Sequence, residues 1–383
     1  MRISAPWIDA ADTRMVMRAL RAEGHQTWFV GGCVRNTLLG APVTDVDIAT
    51  NARPETTMDL ANAAGLRPVP TGLDHGTVTV VAGQSAFEVT TFRKDVETDG
   101  RHATVRFSDS IDDDAARRDF TMNALYASAE GDVADPVGSG LSDLRDRRVR
   151  FIGAASDRIR EDYLRSLRFF RFQAWYGAPE RGPDAEALSA ISMNLAGLET
   201  LSKERVGGEM LKLLAAPDPA PATGTMAQTG VLARVLPGSD PRSLALLVHL
   251  EDEADVPPEA IRRLAVLGGA DVPAALRLSK ALARRLSELR AAAAGPAPAS
   301  ELGYRLGEEI GRDALLLRAA LLEHPLPPNA EADLARGAGA VFPVRADDLL
   351  PAFQGAELGA RLKELEARWI ASGFALDKAA LLS

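Results

Sequence analysis

The hydrophobic pattern divides the chain near residue 136. Before that point, short apolar runs alternate with amphipathic stretches, as expected of a domain that mixes strands with helices. Three runs rich in apolar and β-branched residues predict strands at residues 28–30, 77–81 and 87–92. Two stretches with helical spacing predict helices at residues 9–22 and 54–64. Residues 82–85 would join the last two strands as a hairpin, and the polar residues 93–102 predict a mobile loop.

The remainder of the chain is almost wholly helical in pattern. After Pro136, alanine and leucine dominate and strand-like alternation becomes scarce. The 383 residues are enough for two or three domains with their own cores. The pattern therefore predicts a small α/β head on a larger helical body.

The first candidate for chemistry is a glycine pair that follows the first predicted strand. Gly31 and Gly32 carry no Cβ, so their backbone can approach a phosphate closely. A short helix that ends at Gly40 follows, and its N-terminus would point free N–H groups at such an anion. Arg35 lies within reach of the same place. This arrangement predicts a phosphate site.

Two carboxylates follow ten and twelve residues after Arg35. In a strand, Asp45 and Asp47 would lie on one face, because side chains alternate. Paired hard oxygen ligands suit Mg²⁺ that also holds substrate phosphates, and metal-clamped phosphates suit nucleotidyl transfer. Glu88, flanked by apolar residues, is the candidate third carboxylate. The alternative is that Glu88 lies on an edge strand and faces water.

Residues 117–124 are dense in hydrogen-bonding groups. Adjacent arginines suggest a phosphate fork that includes Arg118, and Asn123 suggests a reader of sugar hydroxyls. The alternative explanation is structural, since Asp119 or Thr121 could cap a helix.

Residues 158–175 have the spacing of one amphipathic helix. Asp162 and Arg165 project from the side opposite the apolar stripe, three residues apart. Such a pair offers donors and acceptors that match the edge of a nucleobase. Two phenylalanines fall on the same polar side, Phe169 and Phe172. We therefore expect that face to meet another domain or a flat ligand, the alternative being an exposed ion pair between Glu161 and Arg165.

Composition narrows the class of protein. The single cysteine, Cys33, excludes a disulfide framework and favours a reducing, cytoplasmic location. No run approaches the roughly 20 apolar residues of a membrane span, so no membrane partner is expected. The net charge of −9 argues against a broadly basic surface, but arginines concentrate at residues 145–150 and 158–171, which permits a locally basic cleft. The histidines form no zinc pattern.

Taken in order, these motifs resemble the class II tRNA nucleotidyltransferases, the CCA-adding enzymes, and their bacterial poly(A) polymerase cousins. The resemblance is carried by residues 29–35, 45–47, 87–93, 99–102, 117–124, 135–136 and 160–172. It is weaker at residues 201–205 and 347–350. Specific motifs thus cover about the first half of the chain, and the second half matches mainly in helical character.

The resemblance implies an α+β fold with a polymerase-β-like head. The head would span residues 1–135. A helical neck that contains the nucleotide-selecting helix would span residues 136–215. A helical body and tail, which would contact tRNA, would span residues 216–383. The implied reaction adds C, C and A to a tRNA 3′ end from CTP and ATP, with Mg²⁺ as cofactor and pyrophosphate as product.

The resemblance and the residue patterns together give one candidate site. Asp45 and Asp47 are the metal ligands and, with Glu88, the catalytic carboxylates. Asp162 and Arg165 would read the incoming base as a protein template. The candidate nucleotide-binding residues are Gly31, Gly32, Arg35, Arg118, Asp119, Asn123, Asp162, Arg165, Arg168 and Arg171.

Several alternatives stay open. The chain resembles A-adding enzymes and poly(A) polymerases as well, and an inactive RNA-binding module on the same fold is a remote possibility. In the family, enzymes restricted to CC addition lack the loop that residues 93–102 resemble, which favours addition of the terminal A. Asn36 stands where relatives usually carry Asp, so we expect a changed orientation of Arg35 rather than loss of activity. The oligomeric state is left open.

Overall fold

A computed structural model describes residues 1–98 and 103–383 of the protein. Residues 99–102, part of the predicted loop, lie outside the described residues. The chain forms two compact units, each made of two segments. The first unit consists of Met1–Leu213 with Pro221–Val235, and the second of Leu214–Ala220 with Leu236–Ser383. The finer division into head, neck, body and tail remains a prediction.

The first unit is built on a mixed β-sheet with the strand order β3-β4-β5-β2-β1-β8-β9. These strands are β1 Thr27–Val30, β2 Asp47–Thr50, β3 Arg67–Gly72, β4 Thr77–Ala82, β5 Ser85–Thr91, β8 Tyr126–Ala127 and β9 Val133–Ala134. A separate antiparallel pair is formed by β6 Arg93–Thr98 and β7 Ala103–Phe107. The strands at residues 28–30 and the hairpin β4–β5 were predicted correctly, because alternating burial along β4 and β5 matches their period-2 pattern.

The parallel pairing of β2 with β5 sets the geometry of the site. Asp47 lies opposite Glu88 in the register of this pair. Strand β5 runs between β4 and β2, so the alternative of an edge strand is wrong for Glu88, although its side chain is exposed. The prediction that Asp45 and Asp47 share a strand is wrong, because β2 begins at Asp47 and Asp45 precedes it. Asp45 is therefore placed by a loop and not by strand alternation.

The first unit also contains helices, some of which pack on the sheet. They are α1 Pro6–Asp9, α2 Ala11–Leu20, α3 Gly32–Leu39, α4 Pro54–Ala63, α5 Ile111–Ala116, α6 Gly140–Arg145, α7 Ala155–Glu161, α8 Leu164–Tyr176, α9 Ala185–Met193, α10 Lys203–Leu214, α11 Ala220–Gln228 and α12 Val231–Val235. Helices α2 and α4 pack on each other and on β4. Helix α4 confirms the prediction for residues 54–64, whereas the helix predicted at residues 9–22 is divided at Ala10.

Two further predictions are corrected. Residues 93–102 are not a loop in their described part, because β6 occupies Arg93–Thr98 and pairs with β7. The single helix predicted at residues 158–175 is two helices, α7 and α8, with Asp162 in an extended conformation between them (φ −154°, ψ 105°).

The second unit is helical among its described residues. Its helices are α13 Leu244–Glu253, α14 Ala260–Leu267, α15 Val272–Ala275, α16 Lys280–Ala294, α17 Ala299–Leu322, α18 Ala330–Ala338, α19 Gly355–Ala371 and α20 Lys378–Leu382. One core cluster lies between α17 and α18, around Leu302, Leu315 and Leu334. A second gathers around Trp369 near the C-terminus. None of the helices in the described parts of the chain has the length and apolar character needed to cross a bilayer.

Candidate functional site

The glycine pair forms the turn between β1 and α3. Gly31 has φ 72° and ψ −120°, a conformation that side chains with a Cβ rarely adopt, and it precedes the first residue of α3, Gly32. A Cβ on Gly31 would lie 3.6 Å from both Arg118 Nη1 and Asn123 Oδ1. The turn therefore faces two of the predicted nucleotide-binding side chains, and the N-terminus of α3 offers N–H groups beside them.

Arg35 lies one turn into α3 and is buried. Its Nη1 donates to Asn123 Oδ1 at 2.9 Å and its Nη2 donates to Tyr176 Oη at 2.8 Å. Asn36 Oδ1 accepts from Nε and Nη2 at 3.1 and 2.9 Å, so Asn36 helps to orient the guanidinium. Burial lowers the pKa of Arg35, the positive charge of Arg171 lowers it further, and Tyr176 and Asp119 oppose the shift.

The carboxylates lie at the start of β2 and on its neighbour. Asp47 and Glu88 are register partners, and Asp45 is exposed two residues earlier, with Thr44 Oγ1 donating to its Oδ2 at 3.0 Å. Burial raises the pKa of Asp47, repulsion from Glu88 and Asp45 adds to that rise, and Arg118 opposes it. These groups repel one another in the absence of a cation.

The side chains of Asp45, Asp47 and Glu88 would supply only part of the coordination shell of a divalent metal. Among residues 1–98 and 103–383, no set of three or more His, Cys, Asp or Glu side chains forms a group that could hold a metal ion. Mg²⁺ commonly takes one or two carboxylates and completes its shell with water and substrate phosphates. Asp45 and Asp47 would supply such a pair of hard oxygen ligands near the Gly31–Gly32 turn, called the phosphate turn below after its predicted ligand. A cation there would relieve the repulsion that adds to the raised pKa of Asp47.

Arg118 is held in place by a buried carboxylate. Its Nε and Nη2 donate to Asp114 Oδ2 at 3.3 and 3.0 Å, and Tyr126 Oη donates to the same oxygen at 2.7 Å. Burial opposes ionisation of Asp114, but Arg118 and Arg117 outweigh it and lower its pKa to about 2. Asp114 thus keeps its charge at any physiological pH and fixes Arg118 at the mouth of the phosphate turn.

A polar cavity of about 260 Å³ adjoins this turn. It is lined by Arg117, Arg118, Asp119, Asn123, Asp162, Leu164, Arg165, Arg168 and Arg205. Asp119 organises one wall, because it accepts from Arg168 Nε at 2.7 Å and from Asn123 Nδ2 at 3.1 Å. The predicted alternative of a helix cap is wrong for Asp119, although its Oδ1 also accepts from the Phe120 N–H at 2.9 Å.

The predicted base-reading pair is brought to this cavity but not on one helical turn. Asp162 lies in the break before α8, where its Oδ1 accepts from the Leu164 N–H and its Oδ2 from Arg205 Nη2 at 2.6 Å. Arg165 donates to Glu161 Oε2 at 2.5 Å. The alternative ion pair of Glu161 with Arg165 is therefore present, but it is largely buried and not exposed, and Asp162 and Arg165 both line the cavity.

Three other predicted positions behave differently. Phe169 and Phe172 do not face a ligand: they are buried and pack against Phe120. Arg171 is not among the cavity-lining residues, and its Nε donates to Glu209 Oε2 at 2.6 Å. Arg171 therefore binds the carboxylate that also lies near Arg168, whose Nη1 is 4.0 Å from Glu209 Oε1.

Sequence reasoning missed several residues that shape the site. The main ones are Asp114, Tyr126, Tyr176, Arg205 and Glu209. Arg205 belongs to a segment with weak family similarity, which was a usable signal. Tyr176 contacts Arg35 across 141 sequence positions, so no local pattern could have indicated it.

Comparisons of the sequence with known proteins find two matching family models and several related chains. A family model described as "Poly A polymerase head domain" matches residues 27–150, and one described as "Probable RNA and SrmB- binding site of polymerase A" matches residues 183–242. The mouse protein named "CCA tRNA nucleotidyltransferase 1, mitochondrial" is 32% identical over 94% of this chain and 86% of its own length. The CCA-adding enzyme of Geobacillus thermodenitrificans is 42% identical over 58% of this chain and 54% of its own length.

The structural comparison extends over nearly the whole chain. The crystal structure of the Bacillus stearothermophilus CCA-adding enzyme in complex with CTP superposes with a TM-score of 0.76 and 29% identity, covering 96% of this chain and 94% of the other. The polar cavity and phosphate turn thus occur in a chain similar throughout to a protein solved with a bound nucleotide.

Proposed function

The chain belongs to the family of CCA tRNA nucleotidyltransferases, and we propose that it adds C, C and A to the 3′ end of tRNA from CTP and ATP with release of pyrophosphate. The observation that carries this proposal is the junction of a phosphate turn, a carboxylate pair and a polar cavity. Gly31 faces Arg118 and Asn123, and both of these side chains line the cavity. A nucleoside triphosphate needs these three environments side by side.

The phosphate turn would bind the triphosphate. The N–H groups at the start of α3 and the cations Arg35 and Arg118 all favour negative charge. Arg118 is fixed by Asp114, and Arg35 is held by neutral hydrogen-bonding partners, with Asp119 offsetting its charge only from a distance. Positioning of this kind lowers the barrier by holding the α-phosphate ready for in-line attack.

Asp45 and Asp47 would hold Mg²⁺, with Glu88 facing the same side of the sheet. When bound, the metal supplies activation of the attacking 3′-hydroxyl and neutralisation of the leaving pyrophosphate. The raised pKa of Asp47 supports this assignment, because a cation would stabilise its ionised form.

Base selection would take place in the polar cavity. Asp162 and Arg165 offer an acceptor and donors within one cavity, and Arg168 lies beside them. Sites that read polar edges discriminate strongly, since a wrong base leaves buried polar groups unpaired. The fixed pairing of these side chains with Arg205, Glu161 and Asp119 supports a rigid template.

We also propose a cytoplasmic location. Cys33 is a free, buried thiol whose pKa burial raises to about 11, which is compatible with a reducing compartment. The mouse and human relatives carry the word mitochondrial in their names, so cell fractionation decides this point.

The function is tested with tRNA transcripts that end before the CCA, after C and after CC. Each is incubated with Mg²⁺ and CTP, ATP or both, and product lengths are read at single-nucleotide resolution. Three additions that stop at CCA are expected. Addition of A only to the CC-ending transcript would make the protein an A-adding enzyme, long A tails would make it a poly(A) polymerase, and no addition would support an inactive RNA-binding module.

A further inference from the structure

The environment of Arg35 is unusual for a buried cation. Within the part of the chain that the structure describes, Arg35 forms no ion pair with a carboxylate, and its N–H groups donate to two asparagine side chains and to Tyr176 Oη. A buried charge without a counter-ion is costly unless it serves an anionic ligand. The neutral partners therefore orient the guanidinium while leaving its charge for that ligand.

Tyr176 makes two kinds of contact with Arg35. Its hydroxyl accepts from Arg35 Nη2 at 2.8 Å, and the centroid of its ring lies 4.0 Å from Arg35 Cζ, within range of a cation–π contact. Tyr176 is the last residue of α8, the helix that carries Arg165 and Arg168 into the polar cavity. The side chain of Tyr176, on α8, thus contacts Arg35 of the helix that follows the phosphate turn.

A second path joins the same two elements. Arg35 Nη1 donates to Asn123 Oδ1, Asn123 Nδ2 donates to Asp119 Oδ1, and Arg168 Nε donates to Asp119 Oδ2. Arg168 and Tyr176 are two turns apart on α8, so Arg35 is tied to this helix at two separate points. Such a closed network of hydrogen bonds fixes the relative position of its members.

We propose that Tyr176 is a positioning residue that holds the Arg35 guanidinium for the triphosphate and joins the phosphate turn to the base-selecting helix α8. The inference rests on the proposed function, because it takes a nucleoside triphosphate as the ligand of Arg35. Holding a long side chain in one rotamer before binding removes part of the entropy loss on binding. The benefit is limited to ligands whose phosphates reach Arg35.

The experiment compares the binding of CTP and CMP to the full-length chain by titration calorimetry with Mg²⁺. In Tyr176→Phe the ring remains and only the hydroxyl is lost. We expect the Kd for CTP to rise about 10-fold, the size typical of one hydrogen bond to a charged group, while the Kd for CMP changes less than about 2-fold. Tyr176→Leu also removes the ring and is expected to raise the Kd for CTP further, again without a matching change for CMP.

Trp175→Phe is the matched control at the same end of α8. Trp175 Nε1 donates to the Lys212 carbonyl at 2.8 Å, so this variant also loses one hydrogen bond. The Trp175 ring lies 6.5 Å from the Tyr176 ring, and the phenylalanine keeps an aromatic ring at this position while both contacts between Tyr176 and Arg35 remain. The ratio of the two dissociation constants is expected to stay at the wild-type value. Thermal unfolding of all variants reports any general loss of stability.

The outcomes separate the inference from the proposed function. Equal weakening of CTP and CMP in Tyr176→Phe, or a lower Tm with unchanged binding of both, would make Tyr176 structural and overturn the inference. Wild-type protein that binds CTP but extends no tRNA would overturn the proposed function and leave the CTP-to-CMP comparison valid. Failure of the wild-type chain to bind CTP would overturn both.

Discussion

At the scale of single residues, the site contains a favourable pair of opposite charges and a set of carboxylates that repel one another. Asp114 and Arg118 stabilise each other in a buried ion pair. Asp47, by contrast, is partly desolvated near Glu88 and Asp45, which raises its pKa. Such unfavourable arrangements are found where a ligand is needed to complete the site, and they trade stability against activity.

Asp47→Asn should therefore raise stability while abolishing nucleotidyl transfer. A raised carboxyl pKa means that the folded state binds the proton more tightly than the unfolded state, so the stability contributed by Asp47 falls as pH rises above its usual value near 3.9. At pH 7 the variant should have the higher Tm, and the difference should shrink as the pH falls towards 4. Activity should drop roughly 1000-fold or more, since a metal site contributes several kcal/mol to catalysis.

Calorimetric scans from pH 4 to 8 and single-turnover assays check this prediction. Added Mg²⁺ should raise the Tm of the wild-type protein but not that of Asp47→Asn. A variant that is less stable than the wild type at pH 7, or one that keeps Mg²⁺-induced stabilisation, would contradict the role given to Asp47.

Arg165→Ala tests the base-reading role at the same scale. Arg165 lines the cavity with its guanidinium fixed by Glu161 and by the Arg158 carbonyl. Its loss should reduce the preference for CTP and ATP over UTP and GTP by about 10-fold or more, because hydrogen bonds from a charged group carry the discrimination. Arg160→Ala, which removes an exposed arginine paired with Asp157, is the control. Equal loss of rate with all four nucleotides would remove Arg165 from the template.

At the scale of elements, the phosphate turn depends on backbone conformation. Gly31 immediately precedes α3 and Gly40 immediately follows it, and both have positive φ (72° and 68°). An alanine at either position would adopt a strained conformation, at a cost of about 1–3 kcal/mol. Only Gly31 faces the groups of the candidate site.

Gly31→Ala should consequently raise the KM for CTP and ATP, whereas Gly40→Ala should leave it unchanged. A Cβ at Gly40 meets nothing within 4 Å among the described atoms, so Gly40→Ala reports backbone strain alone. Gly31→Ala should lose more stability than Gly40→Ala in thermal unfolding, because Gly40 (φ 68°, ψ 20°) lies in the left-handed helical region that L residues can reach and Gly31 (φ 72°, ψ −120°) does not. If the two glycine variants have the same KM, the phosphate would not approach the backbone at Gly31.

Some of the helices and strands could be predicted from the sequence, and others could not. The hairpin β4–β5 and helix α4 were predictable, because their period and their bounding turn residues are local. The break at Asp162 was not, because helical spacing continues through α7 and α8 while the extended residue is held by Arg205 from 43 positions away. Tertiary contact overrides the local pattern there.

The candidate site divides in a similar way. Short motifs marked Asp45, Asp47 and Arg35, because their chemistry is concentrated within a few positions. Motifs do not reveal the partners that fix them: Asp114 resembles a surface carboxylate in an acidic run, and Phe172 resembles an exposed residue on the polar side of a helix. Both are buried: Asp114 is enclosed with Arg117, Arg118 and Tyr126, and Phe172 packs against the distant Phe120.

At the scale of the whole molecule, the chain has two compact units with separate cores. The second unit contains a network of buried charges. Glu251 Oε1 accepts from Arg262 Nε at 2.7 Å, and its Oε2 accepts from Arg263 Nε at 2.9 Å. Asp313 Oδ1 accepts from Arg262 Nη1 at 2.5 Å. Among these four groups the charges balance, and each is at most 3% exposed in its side chain.

Neutralising Glu251 would leave Arg263 buried without its carboxylate partner, whereas Arg262 would keep Asp313. Glu251→Gln should therefore destabilise the second unit by about 3–5 kcal/mol. Chains with separate cores commonly unfold in more than one step, so calorimetry should show an early transition in this variant. Glu253→Gln is the matched control, because Glu253 lies on the same helix but is exposed. Binding of CTP to the first unit should persist below that early transition, since every residue of the candidate site belongs to the first unit. A single transition that carries CTP binding with it would instead show that the two units fold cooperatively.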